Sequence, residues 1–222
     1  MRSLLFGFLL ALSVILAPPI YAQNVPTMEP PPKVASLGVA DLISQDEVDR
    51  LWLYYNGDSN SVREEAQAAM KAARGNFNDP QVVRAWAKVT ALDEAVHGTI
   101  SKLIRNGYWL KTEGRNATFD KAVWLALQHI FDPELVDLTL VQIKPLISKG
   151  LVSGEGYALM YDRNELRHER PQVYGSQFQC RDGRAVVEPL LDPEHVDERR
   201  KQMGMQMHFA DYETLMQEQC AR

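Results

Sequence analysis

Apolar residues recur along this chain at spacings of three and four, the period that turns one face of an α-helix toward a core. Between residues 80 and 106, Val82, Trp86, Val89, Asp93, Val96, Ile100 and Leu103 keep that period, with one carboxylate in the middle of the stripe. Between 118 and 131, Phe119, Ala122, Val123, Ala126, Leu127 and Ile130 form one face while Trp124, Leu125 and Phe131 cover most of the rest, the pattern of a central helix. The ends of the helices are marked as clearly as their faces. Asp79-Pro80, Asp132-Pro133 and Asp192-Pro193 each set a capping acceptor before a proline whose missing N–H costs nothing at the first helical position. Gly75, Gly107, Gly150 and Gly204 stand where left-handed C-caps belong. The pattern predicts helices over 38–56, 61–75, 80–106, 118–131, 133–149, 155–167, 193–203 and 209–219, with a kink or break at Pro145. Gln177–Cys180 and Arg184–Val187, extended residues around Asp182-Gly183, read as a short β-hairpin. The expected fold is mainly α, a single globular domain of about seven or eight short helices with one small hairpin.

The amino terminus breaks this pattern. Residues 1–22 carry Arg2, an apolar run from Leu4 to Ala17, Pro18-Pro19 and a small residue at Ala22, the layout of a secretory signal peptide. The prolines interrupt the run before it reaches the ~20 apolar residues that a span needs, so no stable membrane insertion is expected after removal of the signal. Residues 23–36 hold four prolines and no apolar period, and read as a linker; 37–222 is the helical domain. The expected location is the periplasm or the exterior. Cys180 and Cys220 are the only cysteines, and in an oxidising compartment they form one disulfide. A loop of about 40 residues makes that bond worth roughly 4 kcal/mol in the chain-entropy account, as an upper figure.

Composition narrows the function classes. The chain has 222 residues, 45% hydrophobic and 24% charged, with a formal net charge of −5. Disorder, collagen, repeat arrays and polytopic membrane proteins are excluded. With 24 Lys and Arg against 29 Asp and Glu there is no basic excess for a phosphate backbone, and no nucleic-acid partner is expected. No Gly-x-Ser-x-Gly, phosphate loop, dinucleotide fingerprint or His-Glu-x-x-His occurs, so no cofactor is expected.

The candidate chemistry lies in polar residues at apolar places. Asp93, ionised within its stripe, must accept hydrogen bonds, meet a cation or line a wet pocket, and His97, one turn on, is its nearest candidate partner. Gln128 and His129 interrupt the most apolar helix and need partners too. Gln172, Tyr174, Ser176 and Gln177 place amide, phenol and hydroxyl groups around Gly175, either to read a polar ligand or to satisfy the turn's own backbone while Tyr174 plugs the core. Two metal patterns are weaker. Glu94-x-x-His97 with Glu165-x-x-His168 imitates a di-metal bundle, but Asp93 holds the stripe and His168 comes at a helix end. Met203-Gly204-Met205-Gln206-Met207-His208 has copper(I)-type ligands, yet Met is also the usual filler of irregular gaps, and no metal site is expected. Arg199-Arg200-Lys201 with its acidic neighbours reads as a solvated helix face.

Several motifs occur in a fixed order: Gln128-His129-x-x-Asp132, Asp162-Arg163, Gln172-Val173-Tyr174-Gly175-Ser176-Gln177, then Val196-Asp197-x-Arg199-Arg200. Over roughly residues 85–216 the chain thereby resembles a bacterial family of unknown function whose members carry Gln-His, Asp-Arg, Gln-x-Tyr-Gly-Thr-Gln and Val-Asp-x-Arg-Arg motifs. Ser176 stands in place of the usual Thr, and Gly107-Tyr108-Trp109 in place of a Gly-Trp-Pro. The resemblance implies a polar set of Asp93, Gln128, His129, Asp132, Asp162, Arg163, Gln172, Tyr174, Ser176 and Gln177, and it brings no known activity.

Three functions follow as expectations. The first is an exported protein that binds a small polar ligand or an envelope protein in a pocket lined by His129 and the 170–177 loop. Gln128, Asp132, Asp162, Arg163, Gln172, Ser176 and Gln177 are its candidate ligand-binding residues. The second is a hydrolase-like enzyme with His129 as general acid or base, Asp93 or Asp132 orienting it, and Tyr174 or Arg163 stabilising charge. The third is a periplasmic inhibitor or immunity-type interaction protein.

Overall fold

The structure is a computed structural model that describes residues 30–111, 115–181 and 183–221. The expected signal peptide, most of the expected linker and Asp182 lie outside the described residues. The fold is mainly α, as the periodicity predicts. Its helices are α1 (Gln45–Leu53), α2 (Ser59–Ala72), α3 (Pro80–Arg105), α4 (Ala117–His129), α5 (Pro133–Ile147), α6 (Gly154–Arg167), α7 (Val196–Gln202) and α8 (Phe209–Cys220). Strands β1 (Phe178–Arg181) and β2 (Arg184–Val187) pair antiparallel, with Cys180 opposite Ala185. No described helix is long and apolar enough to cross a membrane.

The described residues divide into two compact units, one ending at Ile143 and the other beginning at Lys144, with the division inside α5. In the first unit, the α3 stripe buries Val82, Val89, Val96, Ile100 and Leu103, and α4 buries Phe119, Ala122, Val123, Ala126 and Leu127. Ala66, Ala85 and Val89 close the α2–α3 seam, with Trp86 half-buried against them. In the second unit, Ala158 of α6, Tyr174 and Met205 form a smaller core with Tyr161, Val173 and Met203 around it.

Several boundaries differ from the sequence expectation, each for a local reason. The first helix begins at Gln45 rather than 38, because Ser44 and Glu47 form a reciprocal capping box: the Ser44 N–H donates to Glu47 Oε2 at 2.8 Å, and Ser44 Oγ accepts from the Glu47 N–H at 3.3 Å. It passes into α2 through a π-type turn, Tyr54–Asp58. Asp79 caps α3 as expected, Asn116 caps α4, and Asp132 caps α5 through the Leu135 N–H at 3.0 Å. Asp192 does not cap. Its backbone is left-handed (φ 43°), and its carboxylate turns to His195 Nδ1 at 2.9 Å. Pro145 falls in the last turn of α5, where the helix runs on only to Ile147. Phe131, beyond the end of α4, is 69% exposed rather than part of its apolar wall. Gly75, Gly107, Gly150 and Gly204 all have positive φ at helix ends, as expected.

Candidate functional site

Asp93, Gln128, His129 and Asp132 belong to the first unit; Asp162, Arg163, Gln172, Tyr174, Ser176 and Gln177 belong to the second. Two polar groupings form in the first unit, one helical turn apart on α3. Asp93 Oδ1 accepts from Arg63 Nη2 of α2 at 2.5 Å and from the Tyr54 hydroxyl at 2.8 Å, and Arg63 Nη2 also lies 3.1 Å from that hydroxyl oxygen. The carboxylate in the apolar stripe therefore meets a cation. Its partner is Arg63 rather than His97. The Asp93 and Arg63 side chains are 19% and 12% exposed, and Arg63 Nη1 is buried without a hydrogen-bond acceptor. Burial pushes the Asp93 carboxyl above the usual aspartate range, against the pull of Arg63 and the Tyr54 hydroxyl. Burial likewise raises the Tyr54 phenol, reinforced by the Asp93 charge.

His97 turns instead to Asp132, with Nε2 3.1 Å from Oδ2. The imidazole side chain is 45% exposed and the carboxylate 21%. Burial would raise Asp132, but the Leu135 N–H and His97 outweigh it and hold the carboxyl below its ordinary value. Asp132 thus serves α5 with one oxygen and His97 with the other. Gln128 and His129, at the end of α4, are half-buried. Among the described residues, no three His, Cys, Asp or Glu side chains gather where they could hold a metal ion. Glu94 is exposed, and Glu165 is bound bidentately by Arg170 at 2.7 and 2.8 Å.

In the second unit, the polar set holds its own loop together. Asp162, on α6 and 0% exposed, accepts the N–H of Val173 at 2.7 Å, of Tyr174 at 2.9 Å and of Ser176 at 3.0 Å. Gln172 closes the loop from the other side: Oε1 accepts the Gln177 N–H at 2.8 Å, and Nε2 donates to the carbonyls of Gln177 and Glu188 at 3.0 and 2.9 Å. Gln177 Nε2 donates to Ser176 Oγ at 3.0 Å. Burial and the Asp162 charge push the Tyr174 phenol up to about 12, and burial beside Arg167 brings the Arg163 guanidinium down to about 10.

Two residues that the sequence places on a solvated face complete this clamp. Arg200, 2% exposed, donates to the Tyr174 carbonyl at 3.0 Å and the Met207 carbonyl at 2.9 Å. Arg199 donates to the Val173 carbonyl at 2.7 Å and the Asp192 carbonyl at 2.8 Å. The available signal was Val196, four residues before Arg200 and so on the same helical face, which is buried. Arg63 and Tyr54 had no such signal, because nothing in the order of residues aims them at Asp93.

Gly175 is required twice over. Its φ is +65°, and a Cβ there would lie 2.5 Å from the Phe209 ring. Gly175→Ala is expected to cost about 1–3 kcal/mol in chemical denaturation, and Gly175→Ala with Phe209→Leu to recover only the overlap part, since the left-handed strain stays. An alanine variant as stable as wild type would remove this account of the glycine.

No curated protein and no solved structure matches the sequence. One family profile does, over residues 61–220, which takes in the α3 polar pairs and the whole Asp162 clamp. The chain belongs to DUF6624, a family of unknown function.

Proposed function

We propose that this protein is an exported module that binds a small polar ligand on the α3 face bearing Asp93 and His97. The observation that carries the proposal is the His97–Asp132 pair, a half-exposed imidazole fixed at 3.1 Å by a carboxylate that also caps a helix. Such a side chain is oriented in advance and reachable by solute, so a ligand meets little ordering cost there. Asp93 lies one turn before His97 on α3, held by Arg63 of α2 and by Tyr54, and the Gln128-His129 dipeptide ends three residues before Asp132. The 172–177 loop is not used in this proposal, because the Gln172 amide and the Asp162 carboxylate that hold it are engaged with main chain. Export is supported by the apolar run at residues 4–17 and by the disulfide between Cys180 and Cys220.

The same pair favours acid–base catalysis as a second reading, with His97 rather than His129 as the proton carrier and Asp132 orienting its ring. A thermal-shift screen of the mature chain against amino acids, amino sugars and sugar phosphates tests binding. A compound that raises the wild-type Tm by several degrees should leave His97→Ala and Asp132→Asn unmoved. Equal shifts in all three proteins, or no shift with any compound, would overturn the proposal; conversion of the bound compound, followed by NMR, would favour catalysis.

A further inference from the structure

None of the residues of helix α8 is buried, and Phe209, Tyr212, Leu215 and Met216 are half-buried. Its first turn makes the aromatic contacts. Phe209 stacks on Phe178 with ring centroids 6.0 Å apart, and its ring occupies the space beside Gly175 that a Cβ would fill. Tyr212 meets Phe178 edge-on at 5.3 Å and donates its hydroxyl to the Ser176 carbonyl at 3.2 Å. The second half of the helix rests on β2 differently. Gln217 Oε1 accepts the Ala185 N–H at 3.1 Å, and Gln217 Nε2 donates to the Gly183 carbonyl at 3.0 Å. Three residues later the helix ends at Cys220, bonded to Cys180 of β1, which is exposed.

We propose that the Cys180–Cys220 bond is a redox lock on this strap. With Cys180 an exposed residue, the bond lies at the surface, where a thiolate can attack it. A dithiol attacks it, forms a mixed disulfide, and leaves as its own cyclic disulfide; two electrons and two protons pass to the protein, giving two thiols. Without the bond, the segment from Thr214 to Cys220 keeps the exposed Gln217 bridge and the half-buried Leu215 and Met216, with no fully buried side chain among them, since Phe209 and Tyr212 lie in the first turn. That segment lifts from β2, and the Ala185 N–H and Gly183 carbonyl become an open strand edge, able to pair with another extended chain. The 172–177 loop stays in place, because Asp162, Gln172 and Arg200 hold it independently of α8.

Hydrogen exchange of the full chain, followed by mass spectrometry with and without dithiothreitol under native conditions, tests the lock. Amides in 214–220 are expected to exchange at least tenfold faster after reduction, while those in 155–166 and 173–176 keep their rates. The Cys180→Ser/Cys220→Ser variant should show the same pattern with no reductant present. Three results would overturn the proposal: resistance of the bond to dithiothreitol without denaturant, unchanged exchange over 214–220, or loss of protection throughout 144–221 together.

Discussion

Asp162→Ala is expected to destabilise the protein by about 3–5 kcal/mol, a large part of the stability of an ordinary domain. The carboxylate is fully buried and accepts three backbone N–H groups of one loop, two of them at Tyr174 and Ser176 on either side of left-handed Gly175. Alanine would leave those donors facing a void, each with a desolvation cost of about 1–3 kcal/mol when unpaired. Asp162→Asn is expected to recover little. Both carboxylate oxygens accept, so an amide must point its own N–H groups at a backbone donor. Equilibrium denaturation followed by circular dichroism measures both variants. A loss below about 1 kcal/mol for the alanine would mean that Gln172 and Arg200 alone hold the loop.

The Arg63–Asp93 pair gives the second large effect, and its sign depends on how many partners are removed. Asp93→Ala would strand a largely buried guanidinium that already has one nitrogen without an acceptor, and is expected to cost about 2–4 kcal/mol, discounted for the partial exposure of both side chains. Arg63→Ala strands the carboxylate instead, with the Tyr54 hydroxyl as its remaining donor among the described residues. The double variant Arg63→Met/Asp93→Leu is expected to lie within about 1 kcal/mol of wild type, because apolar replacements leave no uncompensated charge. Urea denaturation of these variants, with the single variants Arg63→Met and Asp93→Leu added to close a double-mutant cycle, reads these differences. If the double variant is as unstable as the two single losses added together, the pair does not act as a coupled pin between α2 and α3.

Stability and binding separate at this point. The Asp93 pair is chiefly inside the α2–α3 packing, whereas the His97–Asp132 pair is reachable by solute. Variants at His97 are therefore expected to change ligand response more than folding, and variants at Arg63 or Asp93 the reverse.

The sequence by itself determined most of the helices, the Asp79 and Asp132 caps and the cysteine pair, because each rests on residues within a few positions of one another or on composition. The stripe over 80–106 and the Asp79 and Asp132 caps are local in this sense, as are the left-handed glycines and the pairing of β1 with β2. It also showed that Asp93 needed compensation and that Gln172 to Gln177 formed a polar group around a glycine. Only the tertiary structure decided the partners. Arg63 lies thirty residues before Asp93, Asp132 thirty-five after His97, and Arg200 twenty-six after Tyr174. Helical period fixes which face a side chain leaves from, but not which element packs opposite. The destination of a buried charge is set by the nearest opposite charge or main-chain dipole once the helices have docked, and that information is in the packing of distant segments.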